Sequence, residues 1–173
     1  MKKVLKKLPL IVLALVLVLA IKDKTYAATY GVLTYEVQND GTIKITDCDE
    51  NASGALTIPD TIDGKKVTSI GYEAFESCSS LTSITIPEGV TSIDNWAFGS
   101  CSGLTNITIP DSVISMGGLA FYGCSGLANM TYNGTQSQWN SISKDSTWNR
   151  NSAIKTIKCT DGGCKKSPIK NNS

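Results

Sequence analysis

The chain has 173 residues, with 16 lysines and arginines, 15 acidic residues and no histidine. The absence of histidine excludes Ser-His and Cys-His catalytic pairs and the commonest metal ligand. The charged residues form no basic stripe of the kind that nucleic-acid-binding proteins carry. We therefore expect a protein that is not an enzyme, that has no cofactor or metal site and that does not bind nucleic acid.

The N-terminus has the pattern of a secretory signal peptide over residues 1–27. A basic stretch, "MKKVLKK", precedes the twelve-residue apolar run Leu10–Ile21, and Thr25-Tyr26-Ala27 forms a small-x-small cleavage site. Twelve apolar residues are fewer than the ~20 that a membrane-spanning helix needs. We expect an exported chain with no other membrane contact, and an uncleaved anchor is the alternative. Cleavage leaves 10 basic and 14 acidic residues, a net charge of −4.

Residues 28–55 are predicted to form an N-terminal cap and to enter the first coil of a repeat. The segment "YEVQNDGTIKIT" (35–46) alternates apolar and polar residues around Asn39-Asp40-Gly41, which predicts a β-hairpin. The next segment, "DCDEN" (47–51), clusters carboxylates but lacks the ligand spacing of a calcium-binding loop. A solvated turn is therefore the favoured interpretation.

A 23-residue repeat follows over residues 56–132. The segments "LTSITIPEGVTSIDNWAFGSCSG" (81–103) and "LTNITIPDSVISMGGLAFYGCSG" (104–126) share 13 of 23 residues, and residues 56–80 match with five residues inserted. Three residue types recur in fixed registers: Leu81, Leu104 and Leu127; Phe75, Phe98 and Phe121; Cys78, Cys101 and Cys124. A period of 20–29 residues is typical of a solenoid. One coil buries too little to fold alone, so the coils must stack.

Each coil is predicted to contain one strand and one return turn. Ile84-Thr85-Ile86 alternates with period two, and Pro87 ends the strand because proline cannot donate to a ladder. The segment "DNWAFGSC" (94–101) is predicted to be a short helical or 3₁₀ turn. After the repeats, residues 133–162 are predicted to form a C-terminal cap and residues 163–173 a disordered tail.

The skeleton L-x-x-I-x-I-P-x-x-V-x-x-I-x-x-x-A-F-x-x-C resembles the BspA-type leucine-rich repeats of bacterial surface proteins. The opening segment 39–71 and the closing segment 132–162 also resemble that family, so the resemblance covers about residues 29–162. It implies an α/β-type solenoid, mainly β, with a parallel sheet on its concave face. It further implies a secreted or surface-exposed, non-catalytic protein that acts in adhesion or protein binding.

The six cysteines suggest two different roles. Cys78, Cys101 and Cys124, joined by Cys48, occupy a stacked register in which buried free thiols are favoured and disulfides between coils are the alternative. Cys159 and Cys164 flank the flexible "TDGG" and form a candidate disulfide. No C-x-x-C motif supports a zinc site.

The predicted binding surface is the outward face of the parallel strands. If Ile84 and Ile86 point inward, the alternate residues of each strand point out. The candidate partner-binding residues are Ser83, Thr85, Asn106, Thr108, Asn129 and Thr131. A soluble face satisfied by cross-strand threonine contacts is the alternative. The expected partner is an extracellular or surface protein, bound by a monomer. The rival hypothesis is a carbohydrate-binding or cell-wall accessory protein that uses Trp139 and Trp148.

Overall fold

The computed structural model describes residues 27–164, so the predicted signal peptide lies almost entirely outside the described residues. Two sheets enclose one core. The first, here called the cap sheet, contains β1 (Ala28–Tyr30), β2 (Leu33–Val37), β3 (Ile43–Cys48), β6 (Lys65–Ile70), β8 (Ser92–Ile93), β10 (Ser115–Met116) and β12 (Ser143–Lys144), with β5 (Thr61–Ile62) paired to β6. The second, the ladder sheet, contains β4 (Gly54–Thr57), β7 (Leu81–Thr85), β9 (Asn106–Ile109), β11 (Asn129–Tyr132), β13 (Thr156–Cys159) and β14 (Gly162–Cys164).

The N-terminal hairpin predicted around Asn39-Asp40-Gly41 is present. β2 and β3 pair antiparallel, and β3 then pairs parallel with β6. Gly41 takes a φ of 82°, and its N–H donates to the Gln38 carbonyl at 2.9 Å. The alternating residues of this hairpin that point inward are buried, so the hairpin closes the N-terminal end of the core.

Stacking of equivalent residues organises the repeats. Phe98 lies between Phe75 and Phe121, with ring centroids 5.2 Å apart on both sides, close to the ~4.8 Å spacing of paired strands. Trp148 ends this stack, because its ring meets Phe121 edge-on at 6.0 Å. The predicted fold class is confirmed: the protein is a mainly β, parallel-sheet solenoid of about five turns.

The return turns differ from the prediction. Residues 95–100 form turns rather than a helix or 3₁₀ segment. Trp96 and Ser100 adopt φ values of 57° and 58°, and their N–H groups donate to Gly118 and Tyr122 of the next coil at 3.1 and 2.7 Å. Because these donors bond between coils, they are not available for a helix. The two-residue strands of the cap sheet were not predicted either.

The five inserted residues form a short hairpin between β5 and β6. Ile62 pairs with Lys65 across Asp63 and Gly64, which have φ values of 50° and 73°. Two successive left-handed residues are characteristic of a type I′ hairpin turn. Ile62 is buried, so the insertion adds to the core.

The C-terminal part carries α1 (Gln136–Ser141), followed by β12, β13 and β14. Gly163 and Cys164, predicted to lie in the disordered tail, belong to β14 instead, because Cys164 is bonded to Cys159 of β13. Residues 165–173 lie outside the described residues, and the predicted domain boundaries stay predictions. Within residues 27–164, no helix is long and apolar enough to cross a membrane.

Candidate functional site

The ladder sheet brings all six predicted binding residues to one face. Its register pairs Ser83 with Asn106 and Asn106 with Asn129, while Thr85, Thr108 and Thr131 form the neighbouring row. The residues between them along each strand point inward, so the polar side chains point outward. The buried inward residues are Ile84, Ile107, Met130 and Ile157. Thr57 precedes the threonine row and Lys158 ends it. We call this surface the ladder face.

The two rows of the ladder face differ in their hydrogen bonds. In the asparagine row, Asn106 Nδ2 donates to Thr105 Oγ1 at 3.0 Å, and Thr156 Oγ1 donates to Asn129 Oδ1. Among the described residues, Thr85, Thr108 and Thr131 have no side-chain hydrogen bond. No hydrogen bond joins these threonines to one another, and the choice between a binding face and a soluble face stays a prediction. These hydroxyls form a row of free donors and acceptors.

The exposure and charge of the ladder face suit a polar contact. Thr85 and Thr131 are exposed, while Thr108 in the middle of the row is half-buried. Lys158 is the one charged residue of the two rows. The carboxylate of Glu88, which follows Pro87 beyond the end of β7, accepts from Asn133 Nδ2 at 3.1 Å. The face can therefore offer hydrogen bonds to a partner, while contributing little electrostatic attraction.

Trp139 and Trp148 cannot stack on a sugar in this structure. Their side chains are 0% and 2% exposed, and their rings meet each other at 5.6 Å. Tyr132 packs on Trp139 at 5.3 Å, and the Lys144 ammonium lies 4.6 Å from the same ring. Both tryptophans close the C-terminal end of the core. The carbohydrate-binding alternative therefore loses the two residues on which it was based.

The stacked cysteines are buried free thiols in the structure. Cys101 Sγ donates to the Phe75 carbonyl at 2.9 Å, and Cys124 Sγ donates to the Phe98 carbonyl at 3.0 Å. The pKa of the Cys101 thiol is raised, and hydrogen bonding with the Cys124 thiol is the largest cause, with burial the next largest. The Cys101 thiol is therefore protonated and enclosed, which makes it a poor nucleophile, and it contributes packing. Cys159 and Cys164 form a disulfide with Cα atoms 5.7 Å apart.

The acidic segment 47–51 contains the last two residues of β3, Asp47 and Cys48, and the turn that follows them at Glu50 and Asn51. Asp49 Oδ1 accepts from the backbone N–H of Asn51 at 2.9 Å and from its side-chain amide at 3.0 Å. Asp47 and Glu50 are exposed beside it. In the described part of the chain, no three acidic, cysteine or histidine side chains are grouped to hold a metal.

A second polar surface, not predicted from sequence, is an open groove of about 490 Å³ beside the cap sheet, lined by Tyr72, Asp94, Asn95, Lys144 and Asp145 among others. Part of the groove is lined by Gly117 and Gly118, which occupy the positions that Asp94 and Asn95 have in the previous coil. Asn95 Oδ1 accepts from Gly118 N at 2.7 Å, and a Cβ on Gly117 would lie 2.4 Å from that oxygen. The glycines therefore serve a turn contact.

The carboxylates of this groove already have intramolecular partners. Asp94 pairs with Lys44 at 3.4 Å. Asp145 accepts from the hydroxyl and the N–H of Thr147, hydrogen bonds that lower its pKa. The groove is therefore a weaker candidate than the ladder face, where the threonine hydroxyls are free.

The comparison with protein families identifies the repeat. A family model described as BspA-type leucine-rich repeat region matches residues 54–166 in six copies. No curated protein sequence matches the chain significantly.

Solved structures show the same fold. A leucine-rich repeat protein from Bacteroides capillosus ATCC 29799 is 28% identical, with a TM-score of 0.64 over 79% of this chain and 99% of that one. One from Bacteroides ovatus ATCC 8483 is 26% identical, with a TM-score of 0.58 over 76% of this chain and 41% of that one. The T. pallidum leucine-rich repeat protein TpLRR is 22% identical, with a TM-score of 0.60 over 75% of this chain and 58% of that one.

The chain thus spans nearly all of the first of these relatives and about half of the other two. The family model covers more than half of this chain and includes every strand from β4 to β14. The chain belongs to the BspA-type leucine-rich repeat family.

Proposed function

We propose that the chain is a non-catalytic binding module, exported to the bacterial cell surface or the medium, that recognises a protein partner through the ladder face. The observation that supports the proposal most directly is the row of threonine hydroxyls without side-chain hydrogen bonds, formed by Thr85, Thr108 and Thr131. A buried row would have to be satisfied internally, whereas an exposed row is free to bond a partner. Membership of a family of surface-protein repeats supports the same role.

The chemistry of the ladder face favours a polar, uncharged contact region on the partner. Each coil from Thr57 to Thr131 presents one hydroxyl in the threonine row, and successive coils are ~4.8 Å apart. Because Lys158 is the one charged side chain of the two rows, ionic strength should change the affinity little. The partner is expected to present amides or hydroxyls to the threonine row.

The size of the ladder face limits the affinity. Five parallel strands at ~4.8 Å, each contributing ~15 Å of length, cover on the order of 400 Å². A standard interface buries about 800 Å² on each partner. A single copy should therefore bind weakly, and dense display on a surface should strengthen the attachment.

The test is a paired pull-down with densely immobilised protein. Wild type, Thr108→Arg and Thr131→Arg are exposed to host extracellular proteins and to bacterial surface extract. Arginine projects a long charged side chain from the middle or the end of the threonine row, and it should reduce retention of a specific partner at least about tenfold.

Ser102→Arg is the matched control, because Ser102 is exposed on the turn after Cys101 and lies outside the ladder face. Circular dichroism verifies that all four proteins are folded. If the ladder-face variants retain a partner as well as wild type does, or if wild type retains no partner, the proposed role of the ladder face is refuted. Turnover of any substrate in a broad glycan and peptide panel would refute the non-catalytic assignment.

Export is a separate part of the proposal, supported by the signal-like N-terminus and by the Cys159–Cys164 disulfide. Leu13→Asp/Leu17→Asp interrupts the apolar run and should leave the chain inside the producing cell. Leu13→Ile/Leu17→Ile keeps the run apolar and should be exported like wild type. Immunoblots of the cell and medium fractions measure the outcome, and equal export of both variants would contradict it.

A further inference from the structure

Charge is segregated along the axis of the solenoid. Residues 27–143 carry twelve carboxylates and three lysines, a net charge of −9, whereas residues 144–173 carry seven basic residues and two aspartates, a net charge of +5. Between residues 67 and 143 there are five acidic residues and no lysine or arginine. The described residues 144–164 alone carry four basic residues and two aspartates, a net charge of +2. The coils stack in chain order, so this difference along the described chain becomes a difference between the two ends of the stack.

The N-terminal end combines acidic and apolar exposed side chains. Asp49 N donates to the Val32 carbonyl at 2.8 Å, which places the turn before β2 beside the acidic segment 47–50. Val32 in that turn and Tyr30 at the end of β1 are 37% and 50% exposed. We call this surface the acidic end. Exposed apolar groups with a charged rim are typical of a protein-binding surface.

An open strand edge lies at the same end. β4 is the first strand of the ladder sheet and pairs with β7 alone. Its residues Ala55 and Thr57 are exposed. An unpaired edge can accept backbone contacts from another chain, which adds to the capacity of the acidic end for docking.

The C-terminal end has the opposite charge. Arg150, Lys155 and Lys158 are exposed in the last coil, and none of them forms an ion pair with another described residue. The sequence continues with Lys165, Lys166 and Lys170. Lys158 belongs to the ladder face, so we call the surface formed by Arg150 and Lys155 the basic end.

We propose that the basic end of one copy docks on the acidic end of a second copy, head to tail along the solenoid axis. Five strand spacings separate the edges of the ladder sheet by ~24 Å, about three times the ~8 Å Debye length at physiological ionic strength. The charges at the two ends of one copy are therefore screened from each other. When a second copy stacks end-on, its basic end comes close enough to the acidic end of the first copy for the two to attract. Side-by-side contact brings the acidic segments 67–143 together and is disfavoured.

This contact is heterologous, so it leaves one free acidic end and one free basic end on every assembly. It departs from the monomer expected from the sequence, and it does not depend on the proposed function, because end-on stacking leaves the ladder face exposed. Successive copies would present several ladder faces in line, which would raise the avidity of a weak face.

The test is sedimentation velocity of the mature protein, residues 28–173, at about 20 mM and about 300 mM NaCl. The association constant should fall at least about tenfold at the higher salt. Two charge-reversal variants, Asp47→Lys/Glu50→Lys and Arg150→Glu/Lys155→Glu, should each fail to associate at low salt. A 1:1 mixture of the two should associate again, because each variant then meets the opposite charge only on the other.

The matched control is Glu76→Lys/Asp111→Lys, which changes the net charge as much as Asp47→Lys/Glu50→Lys but lies in the middle coils. It should keep wild-type association. The side chains of Asp47, Glu50, Arg150 and Lys155 make no hydrogen bond with a described residue, so thermal melts should show folded variants.

Three outcomes would overturn the proposal: a wild type that stays monomeric at low salt, a mixture that does not associate, or a control that dissociates like the end variants. A monomeric wild type that binds polyglutamate through Arg150 and Lys155 would assign the basic end to acidic polymers instead. Because ladder-face binding should be insensitive to salt, failure of self-association and failure of the proposed function can be distinguished.

Discussion

Individual backbone positions adopt the left-handed conformation in successive coils of the solenoid. Glu73, Trp96 and Leu119 occupy one such register, with φ values of 56° to 57°. Ser77, Ser100 and Gly123 occupy the next, with values of 61°, 58° and 69°. A residue with a Cβ is strained by about 1–2 kcal/mol in this conformation, whereas glycine is not. The strained residues are tolerated because their N–H groups donate to carbonyls of the next coil, and these hydrogen bonds hold the turn in its conformation.

Replacing Ser100 by glycine should therefore stabilise the protein. Relief of the left-handed strain outweighs the extra entropy of the unfolded glycine chain, and the expected gain in the free energy of unfolding is about 0.5–1 kcal/mol. Gly123 already occupies the equivalent position of the next coil. Urea denaturation measures the change.

Ser102→Gly is the control, because Ser102 is exposed and is not in the left-handed region. It should lower the free energy of unfolding by about 0.5–1 kcal/mol. Equal effects of the two substitutions would show that the strain at Ser100 is not what limits stability.

At the scale of elements, the C-terminal cap replaces one apolar position by a lysine. Lys144 of β12 pairs in register with Met116 of β10, yet its ammonium donates to the carbonyls of Trp139 and Ile142 at the end of α1. At the other end of α1, Thr135 Oγ1 accepts from Gln138 N and the Gln138 side chain accepts from Thr135 N, a capping box. Both ends of this short helix are thus satisfied by side chains.

The stability of the cap should depend on pH through Lys144. Burial lowers the pKa of Lys144 to about 8, whereas an unfolded lysine titrates near about 10.4. Between these pH values the unfolded chain binds more protons than the folded one, so the Lys144 contribution to the free energy of unfolding rises with pH. Lys144→Met, which copies Met116, should remove this rise.

The measurement is the difference in free energy of unfolding between wild type and Lys144→Met at about pH 7 and about pH 10. Wild type should gain relative to the variant at the higher pH, by less than a fully buried lysine would because the ammonium is only partly desolvated. Lys158→Met, at an exposed lysine, is the control substitution. A difference that stays constant with pH would refute the role of Lys144.

For the whole molecule, stability depends on contacts between adjacent coils. A solenoid has no contacts between distant coils, so each interface carries the connection between its neighbours. Phe98 lies in the middle of the aromatic stack and touches rings on both sides. The antiparallel hairpin and the tryptophan cap close the two ends of the core.

Phe98→Ala should lower the free energy of unfolding by about 3–5 kcal/mol, because it leaves a cavity in a closely packed stack. Tyr72→Ala, at a side chain that is 58% exposed, should change it by less than about 0.5 kcal/mol. Thermal melts followed by circular dichroism should still show one transition for Phe98→Ala. Two separate transitions would show that the coils on either side of Phe98 unfold independently.

Much of the architecture could be predicted because it follows from local pattern. The recurrence of Leu, Phe and Cys every 23 residues requires equivalent residues to stack, and the alternation in Ile84-Thr85-Ile86 requires Thr85 to face outward. The cap sheet could not be predicted, because Ser92–Ile93 is too short to show a period of its own. It forms only when neighbouring coils supply the hydrogen-bonding partners.

The same distinction applies to the candidate site. Thr85, Thr108 and Thr131 could be assigned to one face from their spacing, but their lack of hydrogen-bond partners depends on where the neighbouring side chains settle. Trp139 and Trp148 could not be classified as ligand-binding or buried from sequence. Large aromatic side chains serve both roles, and the surrounding packing decides between them.

The sequence by itself determined the repeat, the inward and outward faces of its strands and the segregation of charge along the chain. All three depend only on the order and spacing of residues along the chain. Only the tertiary structure decided that Lys144 takes the position of Met116, since the last coil separates them by more than one repeat length. It also decided that the left-handed turns bond between coils and that β4 remains an open edge. These features depend on neighbouring coils, whose positions are set by packing of the whole stack.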